Sequence, residues 1–173
     1  MAQWLMKTEP EDYSWERLVA DGETEWTGVR NHQAAANMRA MKLGEPVFFY
    51  RSVVEPAIVG VMTVCAEWYP DPTDPAGKFV RVKVRPLRPV AAEVSLKAIK
   101  ADPRLADLAL VRQSRLSVLP VGDAHWRILC GMAGIVPCVS PPRGRHGDAC
   151  PPRWRSGPPA GSRSPRWGCR CRG

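Results

Sequence analysis

The stretch AIVGVMTVCAEWYPDPTDPAGKFVRVKVR, residues 57–85, decides the fold class. Residues 57–69 form a long apolar run, in which Gly60 indicates a bulge or a close backbone approach. The Pro- and Asp-rich segment 70–77 predicts a loop. Apolar and basic side chains then alternate over residues 80–85, which is the pattern of a half-buried strand. The stretch therefore predicts two strands separated by a loop.

Further strands and several helices are predicted around this stretch. Short apolar runs predict strands at residues 4–8, 47–50 and 115–121. Helices begin where a short polar side chain can cap free backbone N–H groups. The predicted caps are Ser14, Asn31, Ser95, Asp102 and Asp123. Gly22 and Gly44 end the first two helices.

Short strands outnumber modest helices, and they do not alternate regularly with them. This pattern favours an α+β domain in which a curved sheet or partial β-barrel is flanked by helices.

The last segment, residues 138–173, differs in composition from everything before it. It holds eight Arg, seven Pro, six Gly and four Cys, but no Lys, Leu, Ile, Phe, Tyr or Glu. We therefore predict a domain over residues 1–137 and a disordered tail over 138–173. The tail is either a basic arm or a non-native C-terminus translated from a GC-rich gene out of frame.

The net charge of +8 follows the same division, since the tail carries +7 of it and residues 1–137 carry +1. A basic total usually points to nucleic-acid binding. Here that argument is weak, because the charge lies in the segment that is poorest in core residues.

Cysteine usage and hydropathy predict a reduced, cytoplasmic protein. Cys65 and Cys130 lie in predicted core elements, and Cys169 and Cys171 have no second pair at zinc-site spacing, so no metal site is predicted. No signal peptide is recognised, and no apolar run reaches the roughly 20 residues that span a bilayer. No membrane association is expected, and a monomer is the default.

Four uncommon strings place polar groups beside aromatic or tight-turn residues, as in a pocket for a flat, polar, aromatic ligand such as a nucleobase. They are Trp4-Leu-Met-Lys-Thr-Glu-Pro10, Trp26-Thr-Gly-Val-Arg-Asn31, Phe48-Phe-Tyr-Arg-Ser52 and Arg115-Leu-Ser-Val-Leu-Pro120.

The second string supplies the main stacking candidate. Trp26 is either a platform on which a base stacks or a core tryptophan, and Gly28, followed by Val29, permits close ligand approach. Tyr50 is likewise divided between pocket wall and core. We predict that these four residues line the pocket.

Polar groups of the strings are candidates for recognising the edge of a base. The Asn31 amide offers both donor and acceptor, although the same side chain is a predicted helix cap, and Ser52 and Ser117 offer hydroxyls. Lys7, Arg30 and Arg51 are candidate phosphate contacts. The alternatives are ion pairs of Lys7 or Arg30 with Glu9, Glu11 or Asp12, and a solvent-exposed Arg51.

Catalytic patterns are weak. His32 and His125 lie far apart in the chain without a paired carboxylate or cysteine, and Tyr69-Pro70-Asp71 is better explained as a turn. No phosphate-binding glycine loop is present. We predict no catalytic residues, no enzyme activity and no cofactor.

The strings also resemble those of the EVE domain family, over nearly all of residues 3–134. The matching strings are Trp4-Leu-x-Lys-x-Glu-Pro10, Trp26-x-Gly-Val-Arg-Asn31, Met41-Lys-x-Gly44, Tyr50-x-Ser52, Ala66-Glu-x-Tyr-Pro-Asp71 and Arg115-Leu-Ser-Val-x-Pro120. The resemblance implies a PUA-like fold, related to YTH and ASCH domains, with a pocket that reads modified bases such as 5-methylcytosine. This chain departs from the family in having Arg51 where His is common.

The expected function is a non-catalytic module that binds DNA, or alternatively RNA, and reads a modified base. The alternative is a nucleotide or RNA-processing enzyme that uses the same pocket.

Overall fold

The computed structural model describes residues 1–136 of the chain. The predicted tail, 138–173, lies outside the described residues. The elements, in chain order, are β1 (Gln3–Thr8), α1 (Trp15–Asp21), β2 (Thr24–Trp26), α2 (His32–Ala40), β3 (Pro46–Arg51), β4 (Ala57–Pro70), β5 (Val80–Ser95), α3 (Leu96–Ala101), a 3₁₀ turn (Pro103–Leu105), α4 (Ala109–Arg112), β6 (Val118–Val121) and α5 (Asp123–Met132).

The six strands form one mixed sheet in the order β2-β5-β4-β3-β1-β6. All neighbouring strands are antiparallel except β1 and β3, which are parallel. The sheet is open, with β2 and β6 at its edges, and helices flank it. The predicted α+β class is confirmed, and the sheet does not close into a barrel.

The two long central strands, β4 and β5, are irregular. Their register shifts at four places, the first between Ile58 and Gly60. Such bulges bend strands and increase their twist. Gly60 is also a place of close approach, because a Cβ atom there would lie 2.3 Å from the Trp15 indole of α1. Both alternatives predicted for this glycine are therefore present.

The core lies on the sheet under the helices. Its largest buried side chains include Phe48, Phe49 and Tyr50. They belong to β3, which pairs with β4 along one edge and with β1 along the other. Trp126 of α5 stacks on Phe48 with ring centroids 3.9 Å apart, so the closing helix is fixed to the central strand.

Strand bounds differ from the prediction at three places. β2 was not predicted, and β6 begins at Val118 rather than at residue 115. β5 continues through Pro86 and Pro89 to Ser95. Proline is tolerated there because β2 pairs only with residues 82–84, which leaves the other edge of the strand open.

Two helix bounds also differ. α2 ends at Ala40 rather than near Gly44, because the Glu45 carboxylate accepts hydrogen bonds from Lys42 N at 3.0 Å and Trp4 Nε1 at 2.7 Å. Those bonds fix residues 41–45 as a turn. Asp123 is the first residue of α5, and its cap is Gly122, which makes no side-chain cap. Within residues 1–136, no helix is both long and apolar enough to cross a membrane.

Candidate functional site

A cavity of about 1000 Å³ opens between β1, the segment after β2, the end of β3 and the segment before β6. It is lined by Lys7, Thr8, Glu9, Asp12, Tyr13, Thr24, Glu25, Trp26, Thr27, Gly28, Val29, Arg30, Tyr50, Ser52, Val53, Pro56, Leu96, Ser114, Arg115, Leu116 and Ser117. The volume is sufficient for a nucleobase with its sugar. The parallel pairing of β1 with β3 and the antiparallel pairing of β1 with β6 bring three of the four strings to this place, and β2 brings the fourth.

The segment after β2 provides a turn of backbone along the cavity. Gly28 has φ 76, a conformation that glycine adopts without strain, and a side chain added there would meet nothing within 4 Å. Val29, which follows, is buried with 5% of its surface exposed. The glycine thus turns the chain and leaves open space for a ligand beside the backbone.

Two aromatic residues form the inner wall. Trp26 is 7% exposed and packs edge-on against Phe49, with the two ring centroids 5.9 Å apart. Its indole therefore belongs to the core and also lines the cavity. Tyr50 is 2% exposed. Burial raises the pKa of Tyr50 to about 12, so its hydroxyl remains protonated at neutral pH.

Polar groups are fixed around this wall. The Lys7 ammonium donates to Ser114 O at 2.5 Å and lies 5.9 Å from the Tyr50 ring centroid. Burial lowers the pKa of Lys7. The Ser52 hydroxyl donates to Thr8 O at 2.8 Å, and Ser117 lies half-buried in the lining.

An ion cluster holds one side of the cavity. The Asp71 carboxylate, whose side chain is 1% exposed, accepts from Arg30 Nη1 at 2.8 Å and from Arg81 Nε at 2.9 Å. Arg81 also pairs with Glu25 at 3.0 Å. Arg30 therefore pairs with Asp71 and not with the N-terminal acids considered from the sequence.

The structure places two predicted site residues away from the cavity lining. The Asn31 amide oxygen caps α2 by accepting from Gln33 N at 2.8 Å and Ala34 N at 3.1 Å. Arg51 points to the other side of the strand end and pairs with Glu93 at 2.7 Å. The other eight predicted residues line the cavity.

Several lining residues have no role predicted from the sequence. Arg115 is exposed at the cavity, and no ion pair with another residue of 1–136 holds it. Its place at the start of the last string was a usable signal. Thr27 lies inside the second string, where no role was assigned to it, and Glu25 gave no signal because β2 was not predicted.

The groups that usually support catalysis lie elsewhere. Neither of the two histidines in residues 1–136 lines the cavity, and His32 packs near Phe79 with centroids 5.3 Å apart. In the same part of the chain, no three His, Cys, Asp or Glu side chains cluster as metal ligands would.

Comparison with known proteins decides the family. A sequence model of the EVE domain matches residues 2–132. The chain belongs to the EVE domain family. The match spans every strand and helix of the described fold.

Relatives of this EVE domain include human thymocyte nuclear protein 1, which is 36% identical over 72% of this chain and 71% of its own length. Among solved structures, a protein from Agrobacterium tumefaciens is 42% identical with a TM-score of 0.79, covering 83% of this chain and all of its own. Human THYN1, solved in complex with DNA that contains 5-methylcytosine, is 32% identical with a TM-score of 0.74, covering 79% and 100%.

A YTH domain from Zygosaccharomyces rouxii has a similar fold, with a TM-score of 0.52 at 13% identity over 76% of this chain and 86% of its own. This likeness supports the PUA-like fold alone.

Proposed function

We propose that this EVE domain binds DNA and reads a 5-modified cytosine in its cavity without catalysing a reaction. The observation that carries the proposal is the cavity itself: an aromatic wall, an open backbone turn and fixed polar groups meet at one place. The DNA-bound structure of human THYN1, a relative with the same fold, supports the choice of ligand.

The proposal assigns stacking and close approach to the wall. Trp26 or Tyr50 replaces the stacking that a base loses when it leaves its strand, worth about 1 to 3 kcal/mol per base. The free space beside Gly28 admits the edge of the base, and Val29 provides an apolar contact for a 5-methyl group.

Edge recognition falls to the groups that line the cavity. Lys7 is a donor suited to the carbonyl oxygen of cytosine, and the Ser52 and Ser117 hydroxyls accept or donate. Arg115 and Arg30 then lie where charge attracts phosphates without reading sequence. Asn31 acts in this proposal through the cap of α2, which positions the preceding turn.

The absence of catalysis remains part of the proposal. It is supported by the engagement of Asp71 with two arginines and by the position of both described histidines outside the cavity. No specific observation favours a processing enzyme. The predicted cytoplasmic location also remains a proposal.

An occluding variant tests the function. Ser117→Phe projects an aromatic ring into the cavity, and Gln113→Phe, at an exposed position outside the lining, adds the same ring as a control. Binding is measured by fluorescence anisotropy with matched single-stranded oligonucleotides, DNA and RNA, with and without one 5-methylcytosine.

The wild type and the Gln113→Phe control are expected to prefer the methylated DNA strand, and Ser117→Phe is expected to lose that preference with unchanged thermal stability. Equal binding of all strands by the wild type contradicts the proposal. If the wild type prefers methylated RNA and not methylated DNA, the ligand is RNA instead of DNA.

A further inference from the structure

A strained loop stands at the edge of the cavity between β3 and β4. We call residues 52–56 the rim loop. Val53 has φ 69, and Val54 N donates to Ser52 O at 2.9 Å, which defines a γ-turn of the strained, positive-φ kind. Glu55 also has a positive φ, of 44. A β-branched residue in this conformation is a genuine outlier.

The base of the rim loop is firmly anchored. Ser52 donates to Thr8 O from both its backbone nitrogen and its hydroxyl, each at 2.8 Å. The Arg51 guanidinium donates to Glu55 O from two nitrogens, at 3.2 and 3.1 Å. It also donates to the Glu93 carboxylate at 2.7 Å. These bonds keep the strained turn in one shape.

The tip of the rim loop is apolar and exposed. Val53 is 69% exposed and Val54 is 60% exposed, while Val53 also borders the cavity. Their exposure means that neither side chain contributes much to the core, yet the chain accepts strain to present them. Strain of this kind is concentrated at functional sites.

A base in a duplex reaches a cavity only by leaving the stack. The vacated position exposes the faces of its neighbours, and proteins that unstack DNA commonly insert apolar side chains between base steps. A wedge must be rigid, apolar and next to the receiving cavity. The rim loop has these three properties.

We infer that the rim loop is a wedge, in which Val53 and Val54 enter the DNA stack as the modified base moves into the cavity. This inference rests on the proposed function and adds to it that the natural ligand is double-stranded DNA. Arg51, first considered as a phosphate contact, becomes a positioning residue that holds the wedge.

The test uses the full chain, so that the basic tail is the same in every protein. The variant is Val53→Gly with Val54→Ser, which removes the apolar tip and keeps a residue that tolerates positive φ. Leu43→Ser is the control, because Leu43 is 63% exposed and lies outside the cavity lining. The probes are a 5-methylcytosine duplex and its methylated single strand.

The wedge variant is expected to bind the duplex about tenfold more weakly and the single strand within about twofold of wild type, since only the duplex has to be opened. A 2-aminopurine placed beside the methylated base should brighten on wild-type binding and less so with the variant. An abasic site opposite the methylated base should restore the affinity of the variant. Arg51→Gln should lower duplex affinity in the same selective way.

The inference is overturned if the variant binds the duplex as tightly as wild type, if single-strand and duplex binding fall together, or if the wild type does not bind the duplex. In the first case, the alternative is that the exposed valines contact a protein partner instead of DNA. Failure of the proposed function looks different, because the wild type would then ignore the methyl group even in the single strand.

Discussion

Asp71 is the centre of an ion cluster at one side of the cavity. Its buried carboxylate accepts from Arg30, from Arg81 and from both the backbone and the hydroxyl of Thr73, at 2.9 and 2.7 Å for the last two. Arg30 lines the cavity, so one carboxylate fixes both a turn and a cavity side chain. Removing the negative charge of a buried carboxylate that pairs with two arginines lowers the free energy of unfolding.

Asp71→Asn is predicted to destabilise the fold by about 3 kcal/mol, because it leaves two arginines facing a neutral group. Chemical denaturation at neutral pH measures the loss. Asp107→Asn is the control, since the ion pair of Asp107 with Arg112 is exposed and should change the unfolding midpoint little. Equal effects of the two changes would show that the buried ion pairs of Asp71 contribute no more stability than an exposed ion pair.

Acid should remove the same contribution. Burial alone raises the pKa of Asp71, but hydrogen bonds from Thr73 and Arg30 and the charge of Arg81 outweigh it and hold the pKa well below its usual range. The stabilisation is therefore complete above about pH 4, the ordinary Asp value, and is lost as the pH falls below it. Thermal unfolding from pH 7 to 2 should show wild type and Asp71→Asn converging in acid. A constant difference would contradict this assignment.

Eight of the ten site residues predicted from the sequence line the cavity, but their side-chain partners were not predicted. Trp26, Gly28 and Tyr50 were identifiable because aromatic and glycine residues beside polar groups have a local signature. The pairing of Arg30 with Asp71 joins positions 41 residues apart along the chain. Such a contact follows from the strand pairing, which a local pattern does not contain. The cap at Asn31 was local and was predicted correctly.

At the scale of elements, α1 docks on the sheet through the contact between Trp15 and Gly60. Gly60→Ala should cost about 2 kcal/mol, because the new methyl group overlaps the indole and the packing must shift. Equilibrium unfolding of four proteins, the wild type, Gly60→Ala, Trp15→Leu and the double variant, measures it. The alanine should cost much less in the Trp15→Leu background. Additive effects would mean that the indole is not the obstacle.

The rim loop has its own stability signature. Val53→Gly should raise the free energy of unfolding by about 1 kcal/mol, since relief of the positive-φ strain exceeds the added entropy of the unfolded chain. Val54→Gly, at the adjacent position, should lower it instead. Thermal melting distinguishes the two. A loss of stability in Val53→Gly would argue against stored strain.

Most elements were predictable because their hydrophobic period and caps are local, as in β4, the 80–85 part of β5 and the helix after Ser14. The three-residue β2 was missed because its strand character depends on pairing with β5. The rim loop gave no signal, since a valine in a sequence does not indicate positive φ. The end of α2 depended on Glu45, whose side-chain contacts arise only after folding.

At the scale of the whole molecule, most of the net charge lies outside the residues that form the cavity. The segment 138–173 carries eight of the arginines and a net charge of +7. Residues 1–137 alone should keep the preference for a modified base but bind all nucleic acids more weakly. The slope of log affinity against log salt should fall by about 0.7 to 0.9 per lost phosphate contact. A truncated protein that loses the preference would place recognition in the tail.

The α+β class follows from local sequence patterns, whereas the cavity depends on the order of the strands in the sheet. Placing β1 beside β3 and β2 beside β5 gathers sequence segments from both ends of the domain at one opening. The order itself was not deducible from periodicity. The family resemblance implied a PUA-like fold but no strand order was predicted from it, and the order comes from the structure.

An NMR titration of the full chain with a DNA strand that carries a ¹³C-labelled methyl group on one 5-methylcytosine tests directly whether the base enters the cavity. If the base enters the cavity, ring currents of Trp26 and Tyr50 should shift the methyl signal and give NOEs to their ring protons, and Ser117→Phe should abolish both. Binding with an unshifted methyl signal and no such NOEs would contradict the account.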